Sequence, residues 1–159
     1  MSQAISCLEV IQLSRVNVAA LAVFFEVLRK SGDDAYFHPH PLTDDEARAH
    51  VGYRGADLYY GVTDASVVLA YGMLRGWDEG YKVPSLGIAV HPNFRGTGVA
   101  DLLMRFLHLA ALLKGSDQIR LTVDVNNVRA VRLYERLGYA FDRSSEGRLI
   151  GTLSIRQNA

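Results

Sequence analysis

The stretch VHPNFRGTGVADL, residues 90–102, decides the fold of this chain. It reads as the end of a strand, a turn containing Pro92, a loop containing Gly96 and Gly98, and the start of an apolar helix. The first N–H groups of a helix have no partner within the helix, and the macrodipole makes that end positive. Because small residues let an anion approach these donors, residues 95–100 form a candidate phosphate cradle. The alternative is a loop whose glycines only permit a tight turn.

Two known phosphate-binding motifs can be compared with this loop. A nucleoside-triphosphate loop requires Lys and then Ser or Thr after its last glycine. Here Gly98 is followed by Val99 and Ala100, so that class of site is excluded. A dinucleotide-binding loop requires a third glycine where this chain has Asp101, and it lies near the first strand of its βαβ unit rather than mid-chain. A dinucleotide-binding protein therefore stays only as a weak alternative.

Elements before the loop follow from apolar periodicity and from capping residues. The pattern predicts a first strand, a helix that begins after Asn17 and stops at Gly32, and a short second helix. Thr43 and Glu46 have capping-box spacing at the start of that second helix. Two further strands with a tight turn near residues 64–66 predict an antiparallel hairpin.

Elements after the loop alternate between helix and strand. A helix ends at Gly115, and a strand, a second helix and a closing strand over residues 148–157 follow it. Because a helix separates residues 86–90 from residues 121–125, these two strands are predicted to pair in parallel. The apolar stripe predicted for the first of these helices is Val99, Leu102, Leu103, Phe106, Ala110 and Leu113.

The loop and a second motif together carry a family resemblance. In the first motif, Arg-x-x-Gly-x-Ala, the named positions hold Arg95, Gly98 and Ala100. The second motif follows a strand and reads Asn-x-x-Ala-x-x-Leu-Tyr-x-x-x-Gly-Phe/Tyr. Its matching residues are Asn127, Ala130, Leu133, Tyr134, Gly138 and Tyr139. With both motifs in this order across residues 85–141, the chain strongly resembles the GNAT superfamily of N-acetyltransferases.

The resemblance implies an α/β (α+β) fold in which a mixed central sheet of about seven strands carries four helices. Strands four and five of that sheet are expected to splay apart, and acetyl-CoA is the implied acetyl donor. We expect residues 1–159 to form a single acetyltransferase domain, because the chain has the length of one domain and shows no linker.

The resemblance also assigns roles to residues around the loop. Backbone groups of Ile88, Ala89 and Val90 on strand four are expected to pair with the pantetheine arm of the cofactor, and Asn127 to hydrogen-bond it from the other side. Tyr134 is expected to donate a proton to the departing thiolate. From the residues alone, Tyr134 reads as a buried aromatic and Asn127 as a helix N-cap. The pyrophosphate is expected on the cradle formed by Arg95, Gly96, Thr97, Gly98, Val99, Ala100 and Asp101.

Strand four departs from the family pattern, because SLGIAV contains no acid. Many relatives place a general-base glutamate there, so the base of this chain is left unassigned. Two loops, before the second helix and before strand four, are expected to bind the acceptor amine. His38 is a candidate base because a histidine changes charge near neutral pH, although an ordinary loop histidine fits as well. The expected substrate-binding residues are Asp34, Tyr36, His38 and Glu79.

Several potential metal ligands occur before and within the second helix. His38 and His40 are separated by one residue, and Asp33, Asp34 and His50 are nearby in the sequence. Their spacing is loose and a proline separates the two histidines, so no metal is expected.

Composition limits the partners of the chain. Lys plus Arg and Asp plus Glu each count 17 among 159 residues, so no net charge favours nucleic acid or an anionic membrane. Cys7 is the single cysteine, which excludes an internal disulfide and fits a reducing compartment. Residues 1–10 lack the pattern of a signal peptide, and no stretch reaches the about 20 apolar residues of a membrane span. We expect a cytoplasmic protein without nucleic-acid or membrane partners.

The expected function is that of an N-acetyltransferase, which moves the acetyl group of acetyl-CoA to a primary amine by direct transfer in a ternary complex. Acids and aromatic residues in the acceptor loops favour a small-molecule amine, amino acid or amino sugar. A protein N-terminal or lysine acetyltransferase and a non-catalytic acetyl-CoA-binding sensor module stay open as alternatives. The closing strand alternates apolar residues and could offer a free edge to a second copy, which predicts a homodimer.

Overall fold

The computed structural model describes residues 4–144 and 146–156. The ends of the predicted domain and the last residue of the predicted closing strand lie outside this range. Within it the chain forms seven strands and four α-helices, none of which is long and apolar enough to cross a membrane. In chain order they are β1 (Leu8–Gln12), α1 (Val18–Ser31), α2 (Asp44–Gly52), β2 (Leu58–Asp64), β3 (Val67–Arg75), β4 (Ser85–Val90), α3 (Val99–Leu113), β5 (Gln118–Asp124), α4 (Val128–Arg136), β6 (Ala140–Arg143) and β7 (Arg148–Ser154).

The strands form one mixed sheet in the order β1-β2-β3-β4-β5-β7-β6. All neighbouring strands are antiparallel except β4 and β5, which run parallel. They do so because α3 carries the chain back along the sheet between them. The predicted mixed sheet of about seven strands with four helices is confirmed.

β4 and β5 separate almost as soon as they have paired. β3 and β4 are in register at six positions, from Arg75 opposite Ser85 to Ala70 opposite Val90. β4 and β5, both fully described, are in register at one position, Ser85 opposite Arg120. The sheet therefore opens toward the C-terminal ends of these two strands, which is the predicted splay.

Helices cover both faces of the sheet and hold this opening between two apolar layers. α1 and α2 pack on one face, called here the α1/α2 face, where Phe25 and Tyr71 are fully buried. α3 and α4 pack on the other, the α3/α4 face, with Leu103, Leu121 and Tyr134 among the buried residues. Burial of these two layers is the main favourable term in folding.

Capping residues start and end the first two helices where the sequence predicts. The side chain of Asn17 accepts a hydrogen bond from the amide of Ala19 at 2.8 Å, and Gly32 ends α1 in the left-handed region with φ 81°. The hydroxyl of Thr43 accepts a hydrogen bond from the amide of Glu46 at 3.2 Å. These contacts confirm the predicted boundaries of α1 and the start of α2.

The apolar stripe predicted for α3 is partly wrong. Leu102 and Leu113 are exposed, whereas Met104, Leu107 and Ala111 are buried against the sheet. Because α3 is apolar on most of its sides, apolar periodicity does not show which side faces the sheet. Packing against the strands decides it instead.

The expectation that the closing strand offers a free edge is also wrong. β7 pairs with β5 on one side and with β6 on the other. β6 is the four-residue strand AFDR, which is too short and too polar to be predicted from its pattern. The edges of the described sheet are β1 and β6. The homodimer stays a prediction, but the free edge of β7 no longer supports it.

Candidate active site

A cavity of about 680 Å³ fills the opening between β4 and β5, and we call it the cleft. Its lining residues come from both faces of the sheet. Tyr36 and His38 line it from the segment between α1 and α2, and Leu133 and Tyr134 line it from α4. The cleft therefore crosses the sheet, and two molecules can meet in it from opposite faces.

The glycine loop after β4 leaves the N-terminus of α3 accessible. Gly96 and Gly98 have φ of 73° and 94°, a region that glycine adopts readily. A Cβ atom on either residue would meet no atom within 4 Å, so no described part of the protein closes the loop. Gly98 is the N-cap of α3, and no described side chain caps this helix. Its first amides are therefore available to an anion.

The structure places the cradle residues in two groups. Thr97 and Val99 do not line the cleft, because the Thr97 hydroxyl donates a hydrogen bond to the carbonyl of Phe94 at 2.6 Å and the Val99 side chain is buried. Any contribution of these two residues comes from their backbone amides. The cradle residues that line the cleft are Arg95, Gly96, Gly98, Ala100 and Asp101.

The backbone of β4 is unpaired on the side of the cleft. The amide of His91 donates to β3 at 2.8 Å, whereas the carbonyl of Pro84 accepts from β5 at 3.0 Å. Because backbone groups alternate along a strand, those of Ile88 and Val90 point toward β5, where pairing has ended. Those of Ala89 point toward β3, so Ala89 reaches the cleft through its side chain. This arrangement leaves backbone groups of Ile88 and Val90 free on the side of the cleft.

Arg95 is held by an acid from another segment. Its guanidinium forms an ion pair with the carboxylate of Asp33, which also accepts a hydrogen bond from Ser31. Both partners of the ion pair line the cleft. The pair ties the glycine loop to the segment that follows α1, and it leaves Asp33 with its charge compensated.

α4 supplies an amide and a hydroxyl to the cleft. The Oδ1 atom of Asn127 accepts a hydrogen bond from the amide of Ala130 at 3.3 Å, so Asn127 caps α4 while lining the cleft. Tyr134 is 6% exposed and packs against Tyr139, with ring centroids 5.7 Å apart. Burial raises the pKa of Tyr134, so its hydroxyl is protonated at neutral pH.

The structure brings two of the four expected substrate-binding residues to the cleft. Tyr36 and His38 line it, whereas Asp34 and Glu79 are exposed and do not. Glu79 lies in the loop before β4, at the opposite end of that strand from the glycine loop. Asp34 and Glu79 therefore do not form an acidic acceptor site in the cleft. From the same segment, His38 brings an imidazole to the cleft and Asp33 brings a carboxylate that is paired with Arg95.

His40, considered above as a metal ligand, lies in a cluster with Glu46 and His50, whose potential ligand atoms are within 4.8 Å of one another. The two ring nitrogens of His40 are 2.6 Å from the carbonyl of Pro41 and 2.9 Å from the hydroxyl of Tyr71. His50 Nδ1 is 2.6 Å from the carbonyl of Glu46. Burial lowers the pKa of His40 to about 4, so the ring is neutral. Internal hydrogen bonds thus explain these contacts, and the absence of a metal stays a prediction.

Thr122 on β5 and Arg148 at the start of β7 are among the cleft residues that the sequence did not predict. Leu121 and Val123 are buried on the α3/α4 face, so the alternation of side chains turns Thr122 toward the α1/α2 face. Arg148 stands opposite Asp124 in the register and shares the face of Thr122. The sequence holds no signal for this placement, because it depends on the register between β5 and β7.

Comparison with known proteins identifies the family. A model of the acetyltransferase (GNAT) family matches residues 23–139. An N-acetyltransferase from Staphylococcus aureus Mu50 is 17% identical over 95% of this chain and 100% of its own, with a TM-score of 0.76. The putative acetyltransferase yncA from Salmonella typhimurium, solved with its cofactor acetyl-CoA, is 18% identical over 97% of both chains, with a TM-score of 0.69. The ribosomal-protein-S18-alanine N-acetyltransferase from Escherichia coli is 18% identical over 96% of this chain and 98% of its own, with a TM-score of 0.69.

The matched range contains the glycine loop, the diverging strands and all of α4, so it includes both motifs found in the sequence. At their low identities the similar structures show that the fold is shared. The family model covers well over half of the residues. This chain belongs to the acetyltransferase (GNAT) family.

Proposed function

We propose that this acyltransferase moves the acetyl group of acetyl-CoA to the primary amine of a small molecule while both reactants are bound. The observation that carries the proposal is the cleft that crosses the sheet. On the α3/α4 face it meets the uncapped N-terminus of α3, and on the α1/α2 face it meets Tyr36 and His38. Cys7 is exposed before β1 and does not line the cleft, so direct transfer is favoured over an acyl-enzyme.

The residues of the cleft fit coenzyme A. The α3 amides after Gly98 suit a pyrophosphate, because they are uncapped donors at the positive end of a helix. The free backbone groups of Ile88 and Val90 suit the amide-bearing pantetheine arm, which they can bind as a sheet binds an added strand. Asn127 lines the same space, and its NH₂ group is left to donate because Oδ1 is used in the cap.

The chemistry needs three contributions from the chain. Acetyl-CoA supplies a thioester, and in the transfer a C–N bond forms, the C–S bond breaks and the amine loses a proton. A backbone N–H of β4, from Ile88 or Val90, donates to the acetyl oxygen as negative charge develops on it. Tyr134 gives the proton on its hydroxyl to the departing sulfur. We assign removal of the amine proton to the imidazole of His38, which lines the acceptor side of the cleft.

A protein N-terminus is the second candidate acceptor. Among the described residues no helix covers the α1/α2 face of β5 and β7, so a longer chain can approach the cleft from that side. The similar enzyme from Escherichia coli is named for an alanine of ribosomal protein S18. We keep the small molecule as the first candidate, and turnover of the two classes of acceptor decides between them.

The first test is thermal melting with acetyl-CoA, with NADH and with buffer alone. A ligand at 100 times its Kd adds about 2.7 kcal/mol to the free energy of unfolding, which raises Tm by several degrees in a chain of this size. We expect a shift with acetyl-CoA and none with NADH. No shift with acetyl-CoA would contradict the proposed function, and a shift with NADH would support the dinucleotide alternative.

Thiol release across small amines and N-terminal peptides then distinguishes the acceptors. Turnover of amines supports the small-molecule assignment, and turnover of peptides alone supports the second candidate. Binding of acetyl-CoA without turnover of either class would indicate a sensor module.

A further inference from the structure

Most charged residues of the cleft are neutralised within the protein. Asp33 pairs with Arg95, and Arg136 Nη2 lies 2.9 Å from both carboxylate oxygens of Asp101. The charges that could attract a cationic acceptor are therefore already compensated. The charged residues that line the cleft are Asp33, Arg95, Asp101, Arg129, Arg136 and Arg148.

Two cations of the cleft have no acidic partner within 4.0 Å among the described residues, Arg129 and Arg148. Arg129 lies in the first turn of α4, on the α3/α4 face, where the donor is proposed to bind. Arg148 lies on the α1/α2 face, the acceptor side. The uncompensated charge on the acceptor side of the cleft is therefore positive.

The acid nearest to Arg148 in the register forms no ion pair with it in the described chain. Asp124 stands directly opposite Arg148, but its Oδ1 atom accepts a hydrogen bond from the amide of Asn126 at 2.8 Å. Asp124 is not part of the cleft lining, and no ion pair joins it to Arg148 in the described chain. Thr122, on the same face of the sheet, places a hydroxyl beside this end of the cleft.

We propose that Arg148 binds the carboxylate of the acceptor, and that the acceptor is an α-amino acid. The proposal rests on the proposed function and narrows its substrate class. A guanidinium presents two parallel N–H donors that match the two oxygens of a carboxylate, so it fixes the orientation of the substrate as well as its charge. The same positive charge disfavours polyamines and other acceptors that carry a second cation.

The test compares the twenty common α-amino acids with their α-carboxamides as acceptors, by thiol release from acetyl-CoA. Wild type, Arg148→Gln and Arg148→Lys are assayed together, since the lysine variant keeps the charge and loses the planar fork. Arg120→Gln is the matched control, because Arg120 is an exposed cation on the same face of β5 outside the cleft. Thermal melting with acetyl-CoA is recorded for every variant.

We expect wild type to acetylate at least one amino acid in preference to its amide. Arg148→Gln should raise KM for that amino acid about 10- to 100-fold, the loss expected for a hydrogen-bonded charge, and leave KM for the amide unchanged. Arg148→Lys should have a smaller effect in the same direction, and Arg120→Gln none. If Arg148→Gln fails to fold, the test rests on Arg148→Lys and on the preference of wild type for an amino acid over its amide.

An unchanged KM of Arg148→Gln for the preferred amino acid overturns the inference while leaving the proposed function standing. Two further results do the same. One is equal or better use of the amides by wild type. The other is turnover of no amino acid by a protein that acetyl-CoA stabilises. Absence of stabilisation by acetyl-CoA in wild type would instead contradict the proposed function itself.

Discussion

α3 and α4 both begin at the cleft, but they contribute to it in different ways. α3 begins at Gly98 without a side-chain cap and offers its backbone amides, whereas α4 is capped by Asn127 and offers side chains, including that of Tyr134. α1 and α2 are also capped, by Asn17 and Thr43. Among the four described α-helices, α3 is therefore the one that begins without a side-chain cap, and its N-terminus is the one proposed to bind the donor.

Removing one hydroxyl tests the contribution of α4 and should have the largest effect. Tyr134→Phe keeps the buried ring and removes the proposed proton donor, so we expect kcat to fall about 100- to 10,000-fold, with little change in acetyl-CoA affinity. Tyr139→Phe is the control, because Tyr139 is similarly buried, lies outside the cleft and bonds to His108 at 2.9 Å. Thiol-release rates of the two variants measure the difference. Equal losses would mean that Tyr134 acts only through packing.

Filling the cradle tests the contribution of α3. Gly98→Val places a branched side chain where the amides are open, so we expect acetyl-CoA affinity to fall about 10- to 100-fold through loss of hydrogen bonds to a charged group. Gly115→Val is the control, because Gly115 lies just beyond the other end of α3, has the same φ of 94° and also has no neighbour within 4 Å of an added Cβ. Each substitution should cost about 1–2 kcal/mol of backbone strain.

Calorimetric titration with acetyl-CoA measures the difference between the two glycine variants. Retention of wild-type affinity by both would show that the N-terminus of α3 does not bind the donor. A similar loss of affinity in both would show that strain, rather than the cradle, is responsible.

Deleting the α4 cap separates its two roles. Asn127→Ala should lower the free energy of unfolding by about 1 kcal/mol and Tm by about 2–4 °C. If Asn127 also binds the donor, acetyl-CoA affinity should fall about 5- to 10-fold, the worth of one neutral hydrogen bond. Asn17→Ala removes an equivalent cap from α1, far from the cleft, and should lower Tm alone. Unchanged affinity in Asn127→Ala would restrict that residue to capping.

Burial of His108, whose Nε2 atom lies 2.9 Å from the hydroxyl of Tyr139, predicts that stability depends on pH. Burial lowers the pKa of His108 from 6.5 to about 4. Between these values the unfolded chain binds a proton that the folded chain does not, so the free energy of unfolding falls as pH drops from 6.5 toward 4. His108→Gln should reduce the fall in Tm without abolishing it, because His40 has a similarly lowered pKa. An unchanged slope of Tm against pH would contradict this.

Local sequence signals predict the helix boundaries and the conformation of the glycine loop well, because caps and glycines act over a few residues. Asn17, Gly32 and Thr43 mark helix boundaries correctly, and Gly96 and Gly98 have the positive φ that their loop requires. The divergence of β4 and β5 was predicted from the family resemblance, because no pattern within those two strands indicates it.

Features that depend on long-range contacts could not be predicted in the same way. The acids near the acceptor suggested a cationic substrate, but Asp33 is paired with Arg95, 62 positions away. Arg148 enters the cleft because of its register with β5, and a single sequence does not reveal strand register. Composition therefore predicts an acidic acceptor site, whereas the charged residues that line the cleft are four arginines and two aspartates.

The divergence of β4 from β5 has a consequence for hydrogen exchange. Amides in the middle of a sheet normally exchange slowly because they are paired on a buried strand. The amides of Ile88 and Val90 face the cleft instead, so they should take up deuterium faster than those of Ala89 and His91, which face β3. A donor bound along β4 would slow exchange at Ile88 and Val90 by completing the ladder, and so would remove this difference. The deuterium uptake of alternate amides on this central strand would then show whether a donor occupies the cleft.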